Sequence, residues 1–155
     1  LITQAGARLL HDNLAWLGPI AYTVEEEAFA RALQKSAGVA ERGMDTRLQP
    51  LEGQESTGGS TDVGDVSWNV PTLHVSVATA PAGVPWHAWP VVAAGGTSIG
   101  HKGLVQAAKA MAATMYDLYD QPAVREAVQA EFREKTKGFT YKPYVPDGPP
   151  PLPQE

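Results

Sequence analysis

The sequence predicts an α/β fold, in which α-helices pack on a mixed β-sheet. Apolar residues recur at helical spacing in several segments, whereas residues 70–80 alternate in polarity and are rich in β-branched side chains. The chain has 155 residues, and its hydrophobic and charged fractions of 43% and 19% are those of a folded globular protein. We therefore expect one domain with a single core, or part of a larger domain.

Two helices are predicted in the first quarter of the chain. Leucines recur at near-helical spacing over residues 5–17, until the sequence GPIAY ends the pattern. Thr23 and Glu26 match a capping box, in which the two residues cap each other's backbone amides, so residues 24–37 are predicted to form a second helix. The following stretch up to Gly64 is polar and is long for a loop without regular structure.

A β-strand is predicted over residues 70–80, with the sequence VPTLHVSVATA. The alternation puts His74 and Ser76 on one face and the valines between and after them on the other. We expect residues 72–79 to belong to the mixed sheet on which the helices pack.

Two more helices are predicted after the strand. Residues 103–119 carry apolar side chains at steps of four, three, four and three, which is typical of an amphipathic helix that opens just after GTSIGHKG. Asp120 is predicted to cap a last helix over residues 122–136, with Pro122 at its first position.

Composition narrows the classes of partner. A formal net charge of −5 and the lack of a Lys/Arg cluster argue against a nucleic-acid partner. No apolar run approaches the roughly 20 residues that a membrane-spanning helix needs, so no membrane contact is expected. The chain has no cysteine, which removes disulfides and thiolate metal ligands and fits a cytoplasmic location.

The stretch STGGSTDVGDVSW, residues 56–68, allows two interpretations. Gly, Ser, Thr and Asp are the residues that an ordinary loop uses to reach unusual backbone angles and to satisfy its own amides. The same residues suit a site loop, because glycines let the backbone approach a ligand and aspartates hold a metal, a metal-bound histidine or a substrate. Asp62 and Asp65 are the carboxylates in question.

Four histidines are the other candidates for chemistry, and none lies in a sequence signature that identifies a site. His11 has apolar neighbours on a predicted helix, and His74 lies on the predicted strand. His87, in PWHAW, stands among tryptophans and prolines that would form a rigid, partly dry pocket for a metal-binding imidazole. His101 stands at the start of a predicted helix, which suits a ligand or a hydrogen-bond donor.

Three stretches together resemble the two-metal amidohydrolases of the aminoacylase and glutamate carboxypeptidase family, most closely its p-aminobenzoyl-glutamate hydrolase subgroup. They are GGSTDVGDVSWNVPT, TAPAGVPWHAW and GGTSIGHKGLVQAAKAMA. The resemblance implies the C-terminal part of a layered catalytic domain over residues 23–137. Residues 1–22 would be the end of a lid-domain helix and its return linker, and residues 138–155 a proline-rich tail.

The resemblance also implies that the family's last metal ligand is the one present in this chain, and that it corresponds to His87. The complete site would hold two divalent ions, zinc or manganese, which share a bridging water that attacks the amide. A glutamate from an earlier Glu-Glu pair would act as the general base. His101 would contact substrate or support a ligand, because GHKG is peculiar to the subgroup.

The glycine-rich loop would lie beside the metals and the substrate. By resemblance, Ser60, Thr61 and Asp62 correspond to the family's site loop, whereas Asp65 is expected in a turn or cap. Asp62 or a carbonyl of the glycine loop is a candidate to accept a hydrogen bond from the second ring nitrogen of His87. The backbone amides of the preceding glycines, Gly58 and Gly59, would help to bind a substrate carboxylate.

The implied function is hydrolysis of the amide bond of an N-acyl or N-aroyl amino acid such as p-aminobenzoyl-glutamate. Most of the ligands and the base are absent from these residues, so the N-terminal half of the enzyme, in the same or another chain, is the expected partner in a homo- or hetero-dimer. The isolated chain is expected to be inactive. The alternative is a non-catalytic truncated fragment, or an interaction module that needs a partner chain to fold.

Overall fold

A computed structural model describes residues 1–51, 61–145 and 148–149 of the chain. The regular structure in these residues consists of six α-helices, which are separated by turns and irregular chain. In chain order they are α1 (Gln4–Leu17), α2 (Val24–Ser36), α3 (Val63–Asn69), α4 (Trp89–Gly95), α5 (Ser98–Asp120) and α6 (Pro122–Lys135).

The predicted mixed sheet is wrong for the described part of the chain, which contains no β-strand. Residues 71–79 run as irregular chain without a neighbouring strand. A strand needs a partner for its backbone groups, and the alternation of side chains alone supplies none. At Ala78 the carbonyl instead accepts a hydrogen bond from the Tyr22 hydroxyl at 3.4 Å, and α5 packs directly against it at Gly103.

The four predicted helices are confirmed, with changes at their ends. α5 begins five residues earlier than the apolar pattern indicated, because the Thr97 side chain accepts a hydrogen bond from the Ile99 amide and caps the helix there. The expectation that Asp120 caps the last helix is wrong, because α5 continues through Asp120 and Gln121 holds the cap position of α6. Pro122 starts α6 as predicted.

Two short helices, α3 and α4, lie in segments for which the sequence predicted no helix. Each has seven residues, which is too short for an apolar period to be recognised. α4 carries a proline in its first turn, where the missing N–H leaves no helical hydrogen bond unmade.

α5 is the central element of the described structure. It packs against α1, α4 and α6, while α1 also contacts α6 and α2 contacts α4. The main buried cluster lies below the N-terminal end of α5, where α2, α4 and nearby loops converge; it consists of Ala30, Leu33, Met44, Ala94 and Ile99. This packing fixes the first turns of α5 relative to α2 and α4.

Two glycines allow this close approach. A Cβ atom on Gly100 would clash with the carbonyl group of Gly95 in α4. A Cβ atom on Gly103 would lie 2.6 Å from the carbonyl oxygen of Ala78, which is closer than real Cβ contacts come. The glycines on either side of His101 and Lys102 therefore let α5 lie against backbone on two sides.

The apolar stripe whose spacing predicts α5 does not face the described core. Leu104, Met111 and Met115 are 65%, 55% and 55% exposed, respectively. The face that packs inward instead carries small side chains, among them Gly103, Ala110 and Thr114. Small residues permit close helix packing, so the helix buries one face and leaves a second apolar face in solvent.

A buried glutamine joins the loops on either side of the core. Gln34 in α2 has no solvent exposure, and its side-chain amide donates to the Gly43 carbonyl at 3.0 Å and to the Ala82 carbonyl at 2.7 Å. Its side-chain oxygen accepts from the Gly43 amide at 2.8 Å. Ala82 also donates its amide to the Gly43 carbonyl, so Gln34 fixes the start of the segment that leads to His87.

Candidate functional site

His87 occupies a strained turn just before α4. Its φ angle is 60°, and within the described residues no other non-glycine residue has a positive φ. This left-handed conformation costs a residue with a Cβ atom roughly 1–2 kcal/mol, and such strain concentrates at functional sites. The turn is held at both ends, because Val84 before it and Pro90 after it are buried.

The surroundings of His87 differ from the partly dry pocket that the sequence predicted. His87 itself is exposed, and Trp86 and Trp89 are 68% and 56% exposed. That prediction is therefore wrong for the described structure. The imidazole stands on a fixed turn, open to solvent, with a large aromatic side chain before it and another two residues after it.

His101 lies in the first turns of α5 and is exposed. Its backbone amide donates to the Thr97 carbonyl at 3.1 Å, as in a regular helix, and the helix cap is supplied by Thr97. The His101 side chain therefore has no capping role. Its place on the surface follows from Gly100 and Gly103, which face the backbone that α5 packs against.

A charged cluster next to His101 was not among the features predicted from the sequence. Lys102 donates to Glu26 Oε2 at 2.6 Å, and the Ser98 hydroxyl donates to Glu26 Oε1 at 2.6 Å. Glu26 also accepts the Thr23 amide at 2.7 Å, which confirms the predicted capping box. Hydrogen bonds from Lys102, then from Ser98 and Thr23, lower the pKa of Glu26 to about 2 against the opposing effect of burial.

This cluster sets the position of the GHKG segment. Lys102 also donates to the Ala21 carbonyl at 2.8 Å, so one side chain binds both the carboxylate in α2 and the loop before that helix. The capping box was visible in the sequence because its two members are three residues apart. The ion pair was not, because Glu26 and Lys102 are far apart in the chain.

The predicted site loop is only partly described. Gly58, Gly59 and Ser60 lie outside the described residues. The Thr61 hydroxyl accepts the Val63 amide at 3.2 Å, which is local turn chemistry. Asp62 is exposed at the start of α3, and its side chain makes no capping hydrogen bond there.

Of the two aspartates, Asp65 is the one whose side chain contacts another segment of the described structure. Its carboxylate accepts a hydrogen bond from the Tyr141 hydroxyl at 3.0 Å, and this bond raises the pKa of Tyr141. Near it, the ring of Phe139 lies 4.4 Å from that of Trp68 in α3. These contacts join α3 to the segment after α6. Asp65 lies within the first turn of α3, and the cap position that was considered for it is held by Asp62.

Two further histidines line a groove away from His87. The groove has a volume of about 990 Å³ and lies between α1, residues 45–51 and residues 72–78. It is lined by His11, whose Nε2 lies 3.2 Å from the Gln49 carbonyl oxygen, and by His74. Neither His87 nor His101 lines it, so the groove and the predicted site are separate features.

The candidate ligands in this chain would bind a metal ion only together with ligands from elsewhere in the protein. No three His, Asp or Glu side chains converge as metal ligands in residues 1–51 and 61–145. Among the hydrogen bonds of the same residues, none joins Asp62 to His87. One imidazole does not hold an ion firmly.

Among the helices of the described residues, none combines the length and the apolar character that crossing a membrane requires.

Comparison with known proteins finds a relative among hydrolase subunits. Over 94 residues the chain is 39% identical to a p-aminobenzoyl-glutamate hydrolase subunit from Escherichia coli (strain K12). The match covers 61% of this chain and 20% of that protein, so the matched residues span about a fifth of the relative's length. No protein-family model and no solved structure matches the chain.

Proposed function

We propose that this chain forms part of an amidohydrolase that cleaves the amide bond of an N-acyl or N-aroyl amino acid, such as p-aminobenzoyl-glutamate. The observation that carries the proposal is the 39% identity over 94 residues to a subunit named for hydrolysis of that compound. The strained turn at His87 supports it independently, because an unfavourable backbone angle persists only where the surrounding structure enforces it.

In this proposal His87 is a metal ligand. A neutral imidazole on a fixed turn loses little entropy when it binds an ion, and its exposure leaves it accessible to groups from another part of the protein. The other ligands of two divalent ions, zinc or manganese, would come from residues outside this chain. When bound, such ions activate water and polarise the amide carbonyl.

The site loop and His101 would contact the substrate. Thr61 and Asp62 are exposed at the start of α3, and the loop residues before them, Gly58, Gly59 and Ser60, share this proposed role. His101 is exposed on α5 next to Lys102, whose side chain is bound by Glu26, and this exposure makes His101 a candidate for hydrogen bonding to substrate or to a metal ligand.

The partner in this proposal is the N-terminal half of the enzyme, in the same or another chain, within a homo- or hetero-dimer. The relative is itself a subunit, which supports assembly with another polypeptide. The exposed stripe of Leu104, Met111 and Met115 gives weight to a second candidate function, an interaction module without catalytic activity of its own.

A chimera tests the proposal. This chain would replace the matching stretch of the Escherichia coli relative, produced together with the other polypeptide of that enzyme. We expect the folded chimera to hydrolyse p-aminobenzoyl-glutamate. A chimera that folds and assembles but does not hydrolyse the compound would favour the non-catalytic module.

A further inference from the structure

The two exposed tryptophans beside His87 are a second feature of the same turn. Trp86 and Trp89 expose 68% and 56% of their surface, although tryptophan is usually mostly buried. Val84 and Pro90 anchor the turn on either side, so the backbone that carries both indoles is fixed. The structure therefore presents two broad aromatic surfaces to solvent.

The charge of this segment limits what these surfaces bind. Residues 81–97 contain no Asp, Glu, Lys or Arg. A substrate carboxylate would find no cation there, whereas a flat uncharged ring would find two indoles. Aromatic pairs add about 0.5–1.5 kcal/mol beyond the burial of their area.

The chemistry of the proposed substrate connects these surfaces to His87. In an N-aroyl amino acid the aryl ring is bonded directly to the carbonyl carbon of the scissile amide. A group that holds the ring must therefore lie beside the group that acts at the carbonyl. Trp86 directly precedes His87, and Trp89 follows it by two residues.

We propose that Trp86 and Trp89 bind the aryl ring of the substrate and make the enzyme selective for N-aroyl over N-alkanoyl amino acids. This inference rests on the proposed function and names its substrate class more narrowly. The two indoles are specificity-determining residues: they hold the ring, while His87 would hold an ion beside the reacting carbonyl.

The binding test uses the 155-residue chain itself, without any need for turnover. The indole N–H signals of the four tryptophans are followed by NMR during titration with p-aminobenzoyl-glutamate, and assigned with Trp86→Leu and Trp89→Leu variants. We expect the Trp86 and Trp89 signals to shift, and N-acetylglutamate to leave them in place. Trp16 is a matched internal control, since it is 76% exposed on α1.

Three results would overturn the inference. They are no shift at Trp86 and Trp89, an equal shift at Trp16, and an equal response to N-acetylglutamate. The first result includes the case in which another protein segment, rather than a substrate, covers the two indoles. The second would show that any exposed indole binds the ring.

Kinetics of the active chimera give a second measurement. Trp86→Leu and Trp89→Leu should each lower kcat/KM for p-aminobenzoyl-glutamate roughly 3- to 10-fold, with little change for N-acetylglutamate. Trp16→Leu should leave both values unchanged. If neither variant loses selectivity, the inference is overturned, although the proposed function stands. A chimera without any turnover contradicts the proposed function instead, and the NMR result is read separately.

Discussion

The carboxylate of Glu26 lies 2.6 Å from the ammonium nitrogen of Lys102 and joins the start of α2 to the first turns of α5. The pair lies one residue from His101, and Ser98 and Thr23 complete the hydrogen bonding of the carboxylate. Both helix starts therefore meet at this carboxylate, which links the GHKG segment to α2.

Stability should depend on the ionisation of Glu26. Its pKa is lowered from 4.5 to about 2. The ionised carboxylate therefore contributes its full stabilisation of the fold above pH 4.5, and this stabilisation is lost as the pH falls through 2. We expect Glu26→Gln to lower the melting temperature at pH 7 and to flatten the decline between pH 4.5 and 2. Melting curves across this pH range measure both effects.

Glu126→Gln is the matched control for that experiment. Glu126 pairs with Arg133 on the surface of α6, where both side chains are more than half exposed. Exposed pairs contribute little, so this variant should melt within about a degree of the parent. Equal losses of melting temperature in the two variants would show that the Glu26 cluster stabilises the fold no more than an exposed ion pair does.

Removal of the buried amide of Gln34 should be costly. Gln34→Ala leaves the Gly43 amide without its acceptor, and it removes a donor from the carbonyls of Gly43 and Ala82. We expect a loss of about 3 kcal/mol in the free energy of unfolding, measured by urea denaturation. Gln129→Ala, on the exposed face of α6, should change it by less than about 0.5 kcal/mol.

The two aspartates should behave differently. Asp65→Asn weakens the hydrogen bond from Tyr141, so we expect a small loss of stability, about 0.5–1 kcal/mol, and retained turnover in the chimera. Asp62→Asn should leave stability unchanged, because the exposed side chain has no capping bond to lose. It should lower turnover, because Asp62 belongs to the proposed site loop. Melting curves and kcat/KM of both variants separate the roles. Equal activity of the two variants would indicate that the loop has only a structural role.

The isolated 155-residue chain should be catalytically silent. Its described residues bring no three metal-ligating side chains together, and the proposed reaction needs ligands and a base from outside. An assay with p-aminobenzoyl-glutamate and added zinc or manganese checks this. Turnover by the purified chain alone would mean that the site is complete within it.

The long helices could be predicted from the sequence because their signals are local. The capping box at Thr23 and Glu26, and Pro122 at the start of α6, each depend on residues within one turn. The sheet was predicted wrongly because pairing of strands is not local. Residues 71–79 show how an alternating pattern predicts extended chain without supplying the neighbour that makes it a strand.

The candidate site was only partly predictable for a similar reason. PWHAW identified the turn at His87, but nothing in those five residues indicates that its φ is positive or that both tryptophans are exposed. The Glu26–Lys102 pair joins residues far apart in the chain, and no spacing rule detects such a contact.

The choice between His87 and His101 tests the proposed metal site most directly. The metal content and turnover of the chimera are measured for His87→Ala and His101→Ala. We expect His87→Ala to lose roughly one ion per site and nearly all turnover, more than the roughly 10- to 100-fold effect of losing a residue that only supports a ligand. His101→Ala should keep its full metal content. A full complement of ions in His87→Ala, or a lost ion in His101→Ala, would contradict the assignment of His87 as the ligand.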